Sequence, residues 1–415
     1  MAGKSAKDLH VCACLCTFTP IRAQEYGVSV RALIEAALAG RVPLSAARRA
    51  TRLIFLLSGI AMSSWAPMVP YAKSRLGLDD AQLGLILLAF GGGSMISMPF
   101  MGWLTHRLGN RKVIIASGLA LCVVLPVLAW APSAMALTAG LLYFGVTLGA
   151  VNVAMNAHAV EVERHDGRVL MSGFHGLFSL GGLTGAAVVS GLLALGVSLL
   201  ACGFIMSALL AAIVLTQRNS LLDEVHEEGA RPPLRMPGVM ALLLGLLCFA
   251  SFMAEGSMLD WSAVFLRDFR GVSATAAGIG YACFSIAMAS GRLTGDRMIQ
   301  TLGPVWAVRA GAGLAALGFA LVATLPWPAV SMLGFVLIGL GASNIVPVMF
   351  SAAGRLPGTP PAISIAAVTV LGYAGLLTGP ALIGFISHAS NLAWAMAFLA
   401  GVLVVVAASA RIVRR

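Results

Sequence analysis

The sequence predicts an all-α membrane protein of twelve transmembrane helices, arranged as two pseudo-symmetric six-helix halves. Three observations predict this class. The 415 residues are 59% hydrophobic and only 10% charged, with a mean hydropathy of +0.93, whereas soluble chains carry about 25% charged residues. The apolar residues fall into twelve runs of spanning length. Short motifs from the first six runs recur in the last six at a nearly constant displacement.

Taken in order, the runs lie near 53–72, 82–104, 113–131, 134–160, 169–194, 197–216, 238–266, 274–293, 306–325, 328–353, 362–387 and 391–410. The one long polar connection, from Gln217 to Met236, holds Asp223, Glu224, Glu227, Glu228, Arg231 and the Pro232-Pro233 breaker, and it divides the runs six and six. Four regions are therefore expected: a cytosolic tail over 1–50, an N-terminal half over 51–216, a cytosolic linker over 217–236 and a C-terminal half over 237–415. Gly84, Phe90 and Leu183-Thr184-Gly185 recur 194 residues later as Gly278, Phe284 and Leu377-Thr378-Gly379. Leu148-Gly149-Ala150-Val151-Asn152 recurs 192 residues later as Leu340-Gly341-Ala342-Ser343-Asn344. Two facing copies of one unit are what alternating access requires.

The net charge of +11 does not point to nucleic acid. The bases lie singly or in pairs between apolar runs, so anionic lipid is their expected partner. With the N-terminus inside, only Lys73, Arg75, Arg267 and Arg270 of the 27 bases fall in outer loops. This asymmetry predicts that both termini are cytoplasmic. In the tail, Val28 to Leu38 fits a short helix on the membrane surface, ended near Gly40 and Pro43, and an overlong translation start accounts for the tail equally well. Cys12, Cys14 and Cys16 lack a second ligand pair at zinc-finger spacing. Cys122, Cys202, Cys248 and Cys283 read as small packing residues, and no metal or cofactor is expected.

Between the second and third runs the chain reads GWLTHRLGNRK, from Gly102 to Lys112. This turn resembles the loop between the second and third spans of the major facilitator superfamily: Gly, three residues, Asp, base, any, Gly, any, base, base. Gly102, Arg107, Gly109, Arg111 and Lys112 fit, while His106 stands where that pattern has Asp. SSWAP at 63–67, HGLFSLG at 175–181, EGSMLDW at 255–261 and SGRLTGDR at 290–297 are similar to the YbjJ-type branch of bacterial inner-membrane permeases, itself distantly similar to fucose permeases. The resemblance covers the chain from residue 52 onward. It implies that spans one, four, seven and ten line a central cavity and that Gly102, His106, Arg107, Gly109, Arg111 and Lys112 take part in gating. The second-half copy keeps Gly295, Asp296 and Arg297, but Gly303 is followed by Pro304, so a single regulatory hairpin is expected. Span five lacks the Gly-Pro pair of proton-linked drug antiporters; Gly379-Pro380 occurs in span eleven instead.

Polar side chains inside a span are costly and each needs an account. Glu255 lies roughly 27 Å along span seven from an entry near Pro237, at about 1.5 Å per residue. It is expected in the outer half, as a proton-coupling or substrate-binding residue. Asp260, beside Trp261, reads as an interfacial anchor. In span one, Trp65 is followed by Pro67 and Pro70, which predicts a kinked or unwound end, with freed carbonyls for a substrate or as a kink alone. Asn152 and Asn156 share one face of span four, and Asn344 is the repeat counterpart of Asn152. These amides suit a hydroxyl-rich or amide-bearing solute, or hold the bundle together. His175 either titrates as a second proton-coupling candidate or donates to a backbone carbonyl. Arg292 is expected at the inner end of span eight, its stem reaching the cytoplasmic surface, or in a gating pair with Asp296, Glu161 or Glu163. His158, close to that same end of span four, is expected to pack or to gate.

The function implied is secondary active transport of a small polar organic solute, sugar-like or another metabolite. Coupling to protons and alternating access in a bacterial inner membrane are expected, with a monomer in the lipid bilayer and no nucleic-acid partner. No Gly-Lys-Ser/Thr phosphate loop and no nucleophile–base pair occurs at readable spacing, so neither ATP drive nor an enzyme is expected. The rivals are a non-transporting receptor or scaffold of the same fold and a drug or metabolite efflux antiporter. The topology yields a direct prediction. In a cysteine-free background, single cysteines at Ser133 and Ser390 should react with an impermeant thiol reagent from outside, and one at Glu227 only from inside.

Overall fold

The computed structural model describes residues 42–78, 80–222, 237–272 and 278–414. The tail helix at 28–38, the cysteines at 12–16 and the acidic residues at 223–228 lie outside the described residues. Among the described residues every regular element is helical. Eleven segments are long and apolar enough to cross a membrane: Leu44–Leu76, Leu85–Leu108, Asn110–Trp130, Ala134–Asp166, Met171–Ala194, Leu199–Gln217, Val239–Phe269, Pro304–Thr324, Pro328–Ala353, Pro361–Ala389 and Leu392–Arg414. Ile279–Leu302, 24 residues long, stands eighth in order and completes twelve spans.

Several helices run beyond their apolar segments. Span one starts at Leu44, span four continues to Asp166, and span eight continues to Leu302 rather than ending near 293. A hydropathy window ends at a charge, but a helix does not need to where the charge finds a partner. Arg48, at the start of span one, pairs with Asp166 at the end of span four, 3.1 Å apart.

Breaks follow the prolines. The helix Leu44–Ser64 gives way to a 3₁₀ turn, Ala66–Met68, and a second helix, Val69–Leu76, at Pro67 and Pro70. Span ten breaks between Ala342 and Ile345, just before Pro347. A proline supplies no N–H to the carbonyl four residues earlier, so each break leaves an acceptor to be satisfied from elsewhere.

The duplication seen in the sequence is repeated in the packing. A β-carbon on Gly145 of span four would collide with the Phe90 carbonyl of span two, and one on Gly339 with the Phe284 carbonyl. These are equivalent positions, both displaced by 194. Gly181 meets the Leu56 carbonyl and Gly375 the Phe249 carbonyl in the same way, pairing spans one with five and seven with eleven. Apolar side chains gain nothing by leaving lipid, so close backbone approach at small residues is what holds such pairs together. The halves then meet along spans two and eleven, where Gly102 sits against Ala362 and Ala366, and along spans five and eight, where Gly176 sits against Leu293.

The two ends of the bundle differ in charge. At the end carrying the hairpin, Gly109 turns the chain at φ 84° and Gly303 at φ 76°. The second turn thus keeps the backbone form of the first without its bases. At the far end, Arg75 donates to the carbonyls of Leu128, Ala129 and Ala131 that close span three, and Arg270 donates to the Val322 carbonyl and Ser331 Oγ.

The glycine contacts carry a prediction. Gly145→Ala and Gly339→Ala should each cost about 1–3 kcal/mol as overpacking against rigid backbone, lowering the melting temperature of detergent-purified protein. Gly401→Ala, with open space around it, should leave stability unchanged or slightly raised.

Candidate functional site

The site is built around the break in span ten. Pro347 deprives the Ser343 carbonyl of its helical donor, and Arg292 Nε of span eight approaches that carbonyl at 3.4 Å. Arg292 is the fourteenth of the 24 residues of its helix. It is therefore a mid-span residue, and neither reaches the end of the bundle nor pairs with Asp296, Glu161 or Glu163, as the sequence had suggested. Its Nη2 faces both carboxylate oxygens of Glu255, 3.2 Å to Oε2 and 3.4 Å to Oε1. Its Nη1 donates to Ser179 Oγ of span five, 2.9 Å away in the other half.

Glu255 is the seventeenth of the 26 residues of Val239–Val264, so it too lies near mid-span. The Arg292 side chain is 6% exposed and that of Glu255 is 25% exposed. The pair thus has a buried cation and an accessible carboxylate. Asp260 is exposed, while the neighbouring Trp261 donates from Nε1 to the Pro380 carbonyl of span eleven at 3.0 Å, a tie between spans.

A second set of polar groups comes from span four. Asn152 Nδ2 donates to Tyr373 OH of span eleven at 3.1 Å and back to the Leu148 carbonyl at 3.2 Å. Asn156 Nδ2 donates to the Asn152 carbonyl at 2.8 Å, which turns its Oδ1 toward His175 Nε2 at 3.2 Å. His175 thus donates to a side-chain amide, where the sequence had suggested a backbone carbonyl. Its ring is wedged between Phe55 and Phe350. Asn344 Nδ2 donates to the Gly291 carbonyl and Ser343 Oγ. Among the described residues, Asn344 Oδ1 and Trp65 Nε1 are buried with no hydrogen-bond partner. These two groups offer a free acceptor and a free donor.

At the basic end, carboxylates close the bundle. Glu163, at the end of span four, is buried: Oε2 accepts from the backbone N–H groups of Leu170 and Met171, and Oε1 pairs with Arg355 Nη2 at 2.8 Å. Asp296 reaches from span eight to span five, accepting from Gly173 N at 3.1 Å. Both acids thus serve the start of span five, where unpaired N–H groups favour negative charge. Arg355 and Asp296 belong to the C-terminal half, so these bonds cross between halves. Glu163 and Arg355 are 192 residues apart, the displacement of the span-four repeat. Two equivalent positions touch only beside the pseudo-symmetry axis.

The hairpin residues do different work. Gly102 permits the contact with span eleven, Gly109 makes the turn, and Arg107 lies over the Trp103 ring at 5.3 Å. Arg111 donates to the Arg218 carbonyl and Asn219 Oδ1, holding the end of span six in its own half. His106 is half-buried and Lys112 exposed. His158 bridges Thr51 Oγ1 and the backbone N–H of Leu222, where the chain leaves span six. Sequence reasoning missed Arg355, Tyr373 and Ser179. Adding 192 to Glu163 points to Arg355; Tyr373 and Ser179 carried no comparable signal.

The pair on the axis can be tested with a cysteine at Ser172, which is fully buried beside Gly173. Arg355→Ala and Glu163→Gln are each expected to speed its alkylation several-fold, on the order of 0.5–1 kcal/mol for a partly exposed pair. The double mutant should add little to either.

Comparison with known proteins agrees with this architecture. The family model of the Major Facilitator Superfamily matches residues 53–362. An uncharacterized MFS-type transporter of Yersinia pestis is 46% identical over 365 residues, covering 88% of this chain and 95% of the relative. The membrane protein MosC of Rhizobium meliloti is 30% identical over 360 residues, covering 85% and 86%. Among solved structures, the superfamily transporter FucP in its outward conformation superposes with a TM-score of 0.76 at 18% identity, over 89% of this chain and 98% of that one, which shows a common fold. With twelve helices, a duplicated half and a family match over most of its length, the chain belongs to the Major Facilitator Superfamily of multi-pass membrane transporters.

Proposed function

We propose that the protein is a secondary active transporter of a small polar organic solute, coupled to protons through Glu255 and working by alternating access. The Glu255–Arg292 pair carries this reading. An ionised carboxylate pairs with the guanidinium by charge, whereas a protonated one keeps at most a neutral hydrogen bond. Proton binding therefore competes directly with the ion pair. Arg292 also bonds Ser179 of the opposite half, so the protonation state of Glu255 bears on a contact between halves. A conformational equilibrium responds to just such a difference between its two states.

Asn152, Asn156, Asn344 and Trp65 are the proposed substrate contacts. Amide donors and acceptors, with Tyr373 OH beside them, match hydroxyls better than a hydrophobic drug, which favours a sugar-like solute over drug efflux. His175 orients the Asn156 amide rather than carrying the proton. The basic end is taken as cytoplasmic by its excess of Lys and Arg, in a bacterial inner membrane. Closure there by Glu163, Arg355, Asp296 and Gly102 then makes this an outward-facing or occluded state, and the hairpin of His106, Arg107, Gly109, Arg111 and Lys112 braces the gate from its own half.

The test is Glu255→Gln in proteoliposomes, with a solute first found by its stabilising effect in a thermal-shift screen. Glutamine keeps size and hydrogen bonding but does not titrate. Exchange of labelled for unlabelled solute should persist, while accumulation driven by a pH gradient is lost. Accumulation with wild-type pH dependence would remove Glu255 as the coupling residue. Loss of exchange and binding together would make it a substrate ligand.

A further inference from the structure

A cavity of about 170 Å³ lies at the basic end, its inner edge formed by Pro347 and Val348 just past the break in span ten. Val169 and Met171 of the N-terminal half form one wall; Ile299, Ser351, Arg355 and Arg414 of the C-terminal half form others. The lining is mostly apolar, but it contains two guanidinium groups, and the buried Ser351 Oγ has no hydrogen-bond partner among the described residues. Arg355 uses Nη2 on Glu163, and a guanidinium has five N–H donors in all, so it can take a second anion without giving up the first. The volume is below the about 300–1,000 Å³ of a drug-sized pocket. The cavity is partly open, and suits a small head with the start of a hydrocarbon chain, the rest of a longer molecule lying outside.

We infer that this cavity binds an anionic amphiphile, a carboxylate or phosphate head on a hydrocarbon chain, which holds the basic end of the transporter closed. The head lies between Arg355 and Arg414 within reach of Ser351 Oγ, and the chain lies against Val169, Met171 and Ile299. Walls from both halves meet here only while the basic end is shut. A ligand that needs both walls therefore binds one conformation better than the other and shifts the population toward it. The binding stands independently of the transported solute. The effect on the gate rests on the alternating-access reading above.

The experiment uses the full chain in neutral detergent. Melting temperature is followed against decanoate and dihexanoyl phosphatidylglycerol, with decanol and dihexanoyl phosphatidylcholine as uncharged-head and zwitterionic controls. Saturable stabilisation by an anionic probe is expected, weakened about tenfold in apparent affinity by Arg414→Ala and abolished by Ser351→Phe, which fills the cavity. A response to decanoate alone assigns a free carboxylate, and one to phosphatidylglycerol alone assigns a bilayer lipid. Equal responses to charged and control probes, or responses untouched by both substitutions, overturn the site. Alkylation of a cysteine at Ser172 should also slow several-fold with the bound probe. Stabilisation with unchanged alkylation would overturn the lock, and because this readout needs no transported solute, it is separate from failure of the Glu255 test.

Discussion

Inside a bilayer a polar group facing lipid cannot turn to water, so a backbone group or charge freed within a span is costly unless the protein supplies a partner. The rest of this structure depends on that constraint. Pro347 frees a carbonyl in span ten, and Arg292 takes it. Arg292 brings a charge into mid-span, and Glu255 answers it. Removing one member of such a pair leaves an uncompensated charge, a far larger penalty than the net gain of making the pair. The broken helix, the cation and the acid therefore form one unit, and its remaining hydrogen bond, to Ser179, reaches the other half.

Packing within each half follows from the same solvent. Lipid does not drive apolar faces together, so the helices approach where glycine lets one backbone reach another. Gly145 and Gly339 do this for spans two with four and eight with ten; Gly181 and Gly375 do it for spans one with five and seven with eleven. Because these glycines stand at equivalent repeat positions, the same pairs of helices approach closely in both halves. What differs between them is polar: span four carries two asparagines that turn toward Tyr373 and His175, while spans seven and eight carry the ion pair.

At the basic end, the contacts between halves draw on helix ends as much as on charges. The start of span five presents N–H groups that no helical carbonyl can satisfy. Glu163 takes those of Leu170 and Met171, and Asp296 takes that of Gly173. Arg355 then neutralises Glu163 from across the axis. An arrangement assembled from helix termini can separate without unfolding any helix, as the gate proposed above requires.

The twelve spans, the six-and-six division and the repeat were legible in the sequence, because hydropathy and repetition are local or additive properties of the chain. The kink after Trp65 and the turn at Gly109 were legible for the same reason: proline and glycine act on their own backbone. Glu255, Asn152, Asn156, His175 and Asn344 could be singled out as polar groups in apolar runs, but not assigned partners. Where Arg292 lies was misjudged, because a hydropathy window ends a span at the charge, whereas the helix continues when neighbouring spans supply Glu255, Ser179 and the Ser343 carbonyl. The pairing of Glu163 with Arg355, and of Asp296 with the start of span five, was decided only by tertiary structure. These contacts depend on how the halves face each other, a rotation that no local pattern of residues encodes.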